Sequence, residues 1–136
     1  MNGAFDNGDI AKAEELSHEY LGLAEENKTD WNYGNAIHNT HIVFGRIALL
    51  RNDMLSAIHH LKKAGQTPGS PQLISFGPNM VLALELLELG YKKEVIDYIN
   101  STKNFWLPQF SRKKIKLWVK AIREGSIPHF GPHLKY

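Results

Sequence analysis

The sequence predicts an all-α protein built from stacked helix–turn–helix units. One residue pattern occurs twice, apolar residues recur at three- and four-residue spacing, and turn-forming residues stand where the apolar runs end. The repeated pattern lies 38 positions apart, with Gly45, Asn52, Ala57, Leu61 and Ala64 recurring as Ala83, Gly90, Val95, Ile99 and Thr102. Self-similarity at a fixed period of this size is typical of helical repeat proteins.

Composition points to one compact domain. The chain has 136 residues, 43% of them hydrophobic, which suffices for a substantial core, so we expect a single domain over residues 1–136. No stretch approaches the roughly 18 apolar residues of a membrane span. The N-terminus lacks a basic region followed by an apolar run. Cysteine is absent, which excludes disulfides and thiol chemistry, and we expect a soluble, cytoplasmic protein that does not bind membranes.

The first helix is predicted over residues 9–26. Asn7-Gly8-Asp9 is typical of a turn, and the apolar residues that follow it at helical spacing are Ile10, Ala13, Leu16, Tyr20 and Leu21. Because only seven residues precede Gly8-Asp9, the helix resembles the second helix of a unit whose first helix is missing. Its apolar face then needs a cover, from the next helix, from another subunit or from a longer natural chain.

Residues 31–65 are predicted to form the first complete unit. Asp30 is a suitable N-cap for a second helix, whose apolar positions are Ile37, Val43, Phe44, Ile47, Ala48 and Leu50. A turn at residues 51–53 separates this helix from a third one, Met54 to Ala64, for which Gly65 is the predicted C-cap.

The segment from Gly65 to Pro78 is predicted to be an ordered connection. It holds three glycines and three prolines, yet it also carries Leu73, Ile74 and Phe76, which a solvated loop does not favour. We therefore expect these apolar side chains to pack, and Ser70-Pro71 suits the start of a short helical turn.

Residues 71–102 are predicted to form a second, more divergent unit. Pro78 suits the first turn of its first helix, which ends at Gly90, and a further helix spans about residues 92–101. A capping helix over residues 108–124 ends at Gly125, with an apolar face of Ile115, Trp118, Val119 and Ile122. We expect Trp118 in the core, Trp106 sealing the end of the stack, and an irregular tail over residues 125–136.

Residues 38–68 resemble the tetratricopeptide repeat (TPR) family. The matching positions are Gly45, Asn52-Asp53, Ala57, Leu61, Ala64 and Pro68, whereas His41 and Ala48 replace the usual Trp and Tyr. Residues 77–102 match less well, with Val95 and Thr102 at positions where the family carries small alanines. Residues 69–80 and the Phe105-Trp106 region are similar to bacterial repeat proteins. The resemblance implies a TPR-like α-α superhelix of about six helices.

In the TPR family, the first helices line a concave groove that holds a peptide or a partner helix. The matching positions here are Asn39, Ile42, Arg46, Leu49, Met80, Leu84 and Leu87. The resemblance therefore implies a protein or peptide partner, with Arg46 pairing a carboxylate and Met80 supplying an adaptable contact. The alternative is that the C-terminal helix or the neighbouring unit covers these side chains.

The charge distribution leaves two other kinds of partner open. Residues 1–30 carry eight acids and two lysines, whereas residues 101–136 carry eight bases and one acid. Self-association through the first helix, at Leu16 or Tyr20, or head to tail between opposite charges is one alternative. Nucleic acid binding is a less favoured one, through Arg112, Lys113, Lys114, Lys116, Lys120 and Arg123 beside Phe105, Trp106 and Phe110.

Catalytic and metal-binding patterns are weak. His38 and His41 share a helical face, with His59, His60, His129 and His133 elsewhere in the chain, but two histidines need a further convergent ligand. His18-Glu19 lacks the second histidine of a zinc-protease motif, and Gly22 stands in that place. There is no G-x-S-x-G motif, and GQTPGS lacks the ending of a phosphate-binding loop. The sequence therefore predicts no enzymatic activity, no cofactor and no metal.

Overall fold

The computed structural model describes residues 10–134, and all regular secondary structure in that range is helical. The α-helices are α1 (Ile10–Glu26), α2 (Tyr33–Leu50), α3 (Met54–Gly65), α4 (Pro71–Phe76), α5 (Val81–Glu88), α6 (Lys92–Ser101) and α7 (Pro108–Arg123). Two 3-10 helices span Thr102–Asn104 and Gly131–Leu134. The all-α prediction is confirmed, and the one helix beyond the six predicted is the short α4. The predicted turn at residues 7–9 lies outside the described residues.

Two helical hairpins form the centre of the protein. Residues 51–53 join α2 to α3, and residues 89–91 join α5 to α6. Asn52 and Gly90, which are equivalent in the 38-residue pattern, both adopt left-handed backbone, with φ of 58° and 95°. Asp53 then caps α3, since its carboxylate accepts the Ser56 N–H at 3.1 Å. The repeated positions in the sequence therefore have a repeated conformation.

The two hairpins pack against each other, because α2 contacts α5 while α3 contacts both α5 and α6. Small residues permit this approach. A Cβ on Gly45 would overlap the side chain of Leu82, and one on Gly65 would overlap the Ser101 hydroxyl. The prediction of Gly65 as a C-cap is wrong: it is the last residue of α3, Gln66 is the C-cap, and the glycine is needed for the packing of α3 on α6.

Two other predicted helix starts are displaced. Asp30 does not cap α2, whose N-cap is Asn32. Instead the Asp30 carboxylate accepts the Asn32 N–H at 2.8 Å in the preceding turn. Pro78 lies before α5, which begins at Val81. Local turn hydrogen bonds shape residues 27–33, whereas bonds from His38 and Tyr98 hold the loop at Asn79 in a non-helical shape.

Helix α1 packs on α2 within the same chain. Ala13 of α1 joins Val43 and Ile47 of α2 in a small core cluster, and Arg51 binds Glu14 with an Nη1–Oε2 distance of 2.8 Å. Of the covers predicted for the first helix, α2 therefore supplies this contact. Leu16 and Tyr20 of α1 remain half-buried.

The segment before the second hairpin packs only in part. Leu73 is buried as predicted, whereas Ile74 and Phe76 are 37% and 64% exposed. Ser70 caps α4 by accepting the Leu73 N–H at 3.1 Å, so the predicted helical turn is confirmed. The exposed pair lies beside the start of α7, where Leu107 donates its N–H to the Ile74 carbonyl at 3.2 Å.

The chain after α7 is part of the core, although its sequence has no helical period. Phe130 and His133 are each 2% exposed, and the Phe130 ring lies 5.1 Å from the ring of Trp118. Trp106 and Trp118 are both buried, as predicted. The described part of this tail therefore packs on the two tryptophans at this end of the protein. No helix in residues 10–134 has the length and apolar character needed to cross a membrane.

Candidate functional site

The positions predicted to line a groove between the first helices are in part core positions. Ile42, Met80 and Leu87 are only 1%, 0% and 6% exposed, because α2 and α5 pack directly against each other. These three side chains are core residues of the described chain, and their contact with a partner stays a prediction. Leu49 and Leu84 are half-buried against the same core, and Asn39 is half-buried on α2. Partner contacts by Asn39, Leu49 and Leu84 stay a prediction.

Arg46, predicted to pair a partner's carboxylate, pairs with Glu85 inside the protein. Its Nε lies 2.8 Å from Glu85 Oε1, and the Arg46 side chain is only 16% exposed. The ion pair joins α2 to α5 across the hairpin interface. The cation expected for binding therefore has a structural role here.

Reversing this charge should weaken the packing of the hairpins. We expect Arg46→Glu to lower the free energy of unfolding by about 1 kcal/mol, because two carboxylates then face each other. Adding Glu85→Arg restores opposite charges and should recover most of that loss. Urea unfolding of the two single variants and the double variant measures the coupling. Purely additive effects would show that the pair contributes nothing.

A concave surface lies along one flank of α7, away from these positions. It is a groove of about 820 Å³ whose floor contains Trp106, Ile115 and Val119, which are only 2%, 4% and 9% exposed. The α7 residues that line it lie between Pro108 and Glu124 and recur at three- and four-residue intervals. At a rise of 1.5 Å per residue, the groove therefore follows the helix for about 24 Å.

The local sequence explains why α7 presents this flank. Leu107 has extended backbone, with φ −60° and ψ 135°, and Pro108 occupies the first turn of the helix. Ile115, Trp118, Val119 and Ile122 turn toward the core, as predicted. The opposite wall comes from the end of α6 and the 3-10 helix, through Asn100 and Lys103. The groove thus forms where α7 leaves the second hairpin.

The groove is strongly basic. Its cations are Lys103, Arg112, Lys116, Lys120 and Arg123, and Glu124 is the acid among its lining residues. All five cationic residues are exposed, and within residues 10–134 none of them forms an ion pair. Their aliphatic stems extend the apolar floor while their charged ends stay in water. The arrangement suits a ligand that is both apolar and anionic.

The aromatic residues beside this basic surface are mostly unavailable for stacking. Phe105 and Trp106 are 6% and 2% exposed, and Phe110 is 45% exposed. Proteins that grip single strands stack successive bases on exposed aromatic rings. One exposed ring next to a row of cations therefore favours nucleic acid less than it favours an apolar, acidic protein segment.

The histidines predicted as possible metal ligands have different hydrogen-bond partners. His38 is fully buried, with Nδ1 3.0 Å from the Ala64 carbonyl and Nε2 accepting the Asn79 N–H at 2.9 Å. Because Nε2 accepts the Asn79 N–H, it carries no proton. The proton of the neutral His38 ring is therefore on Nδ1, which donates to the Ala64 carbonyl. The Nδ1 atoms of His41 and His60 lie 3.0 Å apart. No group of three or more metal-ligating side chains that could hold an ion occurs in the described part of the chain.

Burial controls the ionisation of these histidines. It lowers the pKa of His38 to about 4, against a small opposing effect of the Ala64 hydrogen bond. It also lowers the pKa of His41 to about 4, together with the nearby charges of His60 and His59. The pKa of His60 is lowered as well, first by burial and then by His59. Neutral histidines are therefore part of the folded state near neutral pH.

His38 also belongs to a set of side chains that hold residues 78–80. His133 Nδ1 lies 2.9 Å from the Pro78 carbonyl, and the His133 carbonyl accepts the Met80 N–H at 2.9 Å. The Tyr98 hydroxyl donates to the Asn79 carbonyl at 2.7 Å. Side chains from α2, α6 and the end of the described chain thus meet at Pro78 and Asn79, and the His133 backbone holds Met80. These side-chain atoms bond to backbone groups, so the cluster has a structural role.

Comparisons with known proteins found no matching family model, no matching curated protein and no matching solved structure. The proposed role of the groove along α7 therefore depends on the chemistry of its own residues.

The sequence predicted the basic face and the apolar face of α7 but not the wall opposite them. Lys103 lies in a 3-10 helix that has no sequence signal, so its place beside α7 depends on the tertiary fold.

Proposed function

We propose that this protein is a non-catalytic interaction module that binds a segment of a partner protein in the groove along α7. The observation that carries the proposal is the combination of an apolar floor with five cations that have no carboxylate partner among the described residues. Exposed grooves of this kind mark interaction sites, because neither the apolar surface nor the uncompensated charge stabilises an isolated chain.

We propose that the helical hairpins form a TPR-like array, which would suit such a role. The two hairpins, the equivalent left-handed turns at Asn52 and Gly90, and the glycine at the α2–α5 contact agree with the 38-residue recurrence. Stacked helical hairpins create extended surfaces that bind partners. The proposed surface differs from the family's usual one, since it lies on the terminal helix instead of between the first helices.

Site-specific photo-crosslinking tests the proposal in a lysate of the source organism. A photoreactive residue is placed at position 116, which lines the groove, or at position 113, which is exposed on α7 outside it. We expect one distinct partner protein to crosslink from position 116 and not from position 113. Equal crosslinking from both positions would contradict the groove. Crosslinks only to copies of the chain would favour self-association, in which exposed acids of α1, such as Glu15 and Glu19, supply the opposite charge.

A further inference from the structure

The walls of the groove are helical. Its long wall is α7, whose backbone groups bond within the helix, and its other wall is the end of α6 with the following 3-10 helix. No strand edge is present in residues 10–134, so a bound peptide cannot extend a sheet here. An occupant must then satisfy its own backbone N–H and C=O groups, and an α-helix does so.

The cations of α7 set the pattern that such a helix must match. Arg112, Lys116 and Lys120 are four residues apart and Arg123 continues the row, so the charges form one stripe along the helix. Ile115 and Val119 lie beside this stripe, also four residues apart. A complementary helix carries an acidic stripe next to an apolar stripe, each with about one residue per turn.

We infer that the groove binds an acidic amphipathic helix of a partner protein, of about 16 residues to match the groove's length of about 24 Å. The inference rests on the proposed function and adds the chemical class of the partner. The apolar stripe of the partner lies on the aliphatic stems of Lys116 and Lys120, above the largely buried Ile115 and Val119, and its carboxylates face the charged ends of the row. A neighbouring surface formed by Ile74, Phe76, Leu107 and Phe110, each at least 37% exposed, lies at the start of α7 and receives an apolar residue beyond the end of the helix.

Three fluorescent peptides of about 16 residues test the inference by anisotropy. The first carries a leucine stripe beside a glutamate stripe. The second replaces every glutamate with glutamine, and the third keeps the composition but moves the glutamates to the face opposite the leucines. The protein is used as the parent chain, as a Lys116→Glu, Lys120→Glu variant, and as a Lys113→Glu, Lys62→Glu control with the same net charge. All four lysines are exposed, and thermal unfolding confirms that each variant is folded.

We expect the first peptide to bind the parent chain at least about tenfold more tightly than the other two, since two or more charge pairs contribute about 1.4 kcal/mol together. The Lys116→Glu, Lys120→Glu variant should lose this preference. The control variant should behave like the parent chain. High salt should weaken the first complex and leave the glutamine peptide unchanged.

Failure of this inference is distinguishable from failure of the proposed function. Equal binding of the glutamate and glutamine peptides would overturn the acidic partner while supporting the groove. Binding of none of the peptides, with crosslinking of a partner from position 116, would overturn the helical partner alone. A lack of both would overturn the interaction module as well. Tighter binding of a single-stranded oligonucleotide than of the first peptide would assign the cations to nucleic acid instead.

Discussion

Replacing Gly34 with alanine should lower the free energy of unfolding by about 3 kcal/mol and the melting temperature by about 10 °C. Gly34 is buried at the start of α2, and a Cβ there would overlap the carbonyl group of Gly69. The loop cannot move away without loss of hydrogen bonds. The Thr67 hydroxyl donates to the Gly34 carbonyl at 2.6 Å and accepts the Gly69 N–H at 3.2 Å. Thermal and urea unfolding measure the effect.

Gly22→Ala is the matched control for this substitution. Gly22 is exposed on α1, and a Cβ at that position would have no atom within 4 Å. Alanine in an exposed helix interior is favoured over glycine by about 0.5–1 kcal/mol, so the control should gain stability. If Gly34→Ala were equally well tolerated, the close contact between α2 and the loop would not exist in solution.

Acid should destabilise the protein between about pH 6.5 and pH 4, because the pKa values of His38 and His41 are both lowered to about 4. The ordinary pKa of histidine is 6.5, and burial lowers that of His38 to about 4. Between these values the unfolded chain binds a proton that the folded chain excludes, so stability is full above pH 6.5 and falls as the pH decreases. His38 alone contributes a loss of about 3 kcal/mol. The lowered pKa values of His41 and His60 act in the same direction.

Urea unfolding at a series of pH values measures this slope. His38→Gln should reduce the slope of the free energy of unfolding against pH by the equivalent of close to one proton. The variant should also be less stable than the parent at neutral pH by about 2 kcal/mol. The second effect arises because glutamine leaves either the Ala64 carbonyl or the Asn79 N–H without a partner. His129→Gln, at an exposed position, should keep the parent's profile. An unchanged slope in His38→Gln would mean that His38 is not the buried titrating group.

The helical hairpins could be predicted because their signals are local. Turn residues such as Asn52 and Gly90 need a particular backbone conformation, and apolar residues mark a face once per turn, so neither depends on distant parts of the chain. The direction in which a face points is not local. Ile42 and Met80 have the same pattern whether they line an open groove or contact a neighbouring helix, and the fold places them in the core.

The candidate groove was predictable only in part for the same reason. Lys116 and Lys120 follow from the amphipathic pattern of α7, whereas Lys103 reaches the groove through a turn without periodicity. The residues after α7 also lack a periodic pattern from which their packing could be predicted. Phe130 and His133 become core residues through contacts with Trp118 and Pro78, which are far from them in the sequence.

The hydrogen bonds around residues 78–80 also affect how the protein loses its structure. A stack of repeats ordinarily frays from its ends, because each unit contacts only its neighbours. Here His38 of the first hairpin and Tyr98 of the second both bond to Asn79, and His133 near the end of the described chain bonds to Pro78 and Met80 on either side of it. Each of the three parts is therefore tied to one short loop, and we expect them to unfold together instead of fraying from the ends.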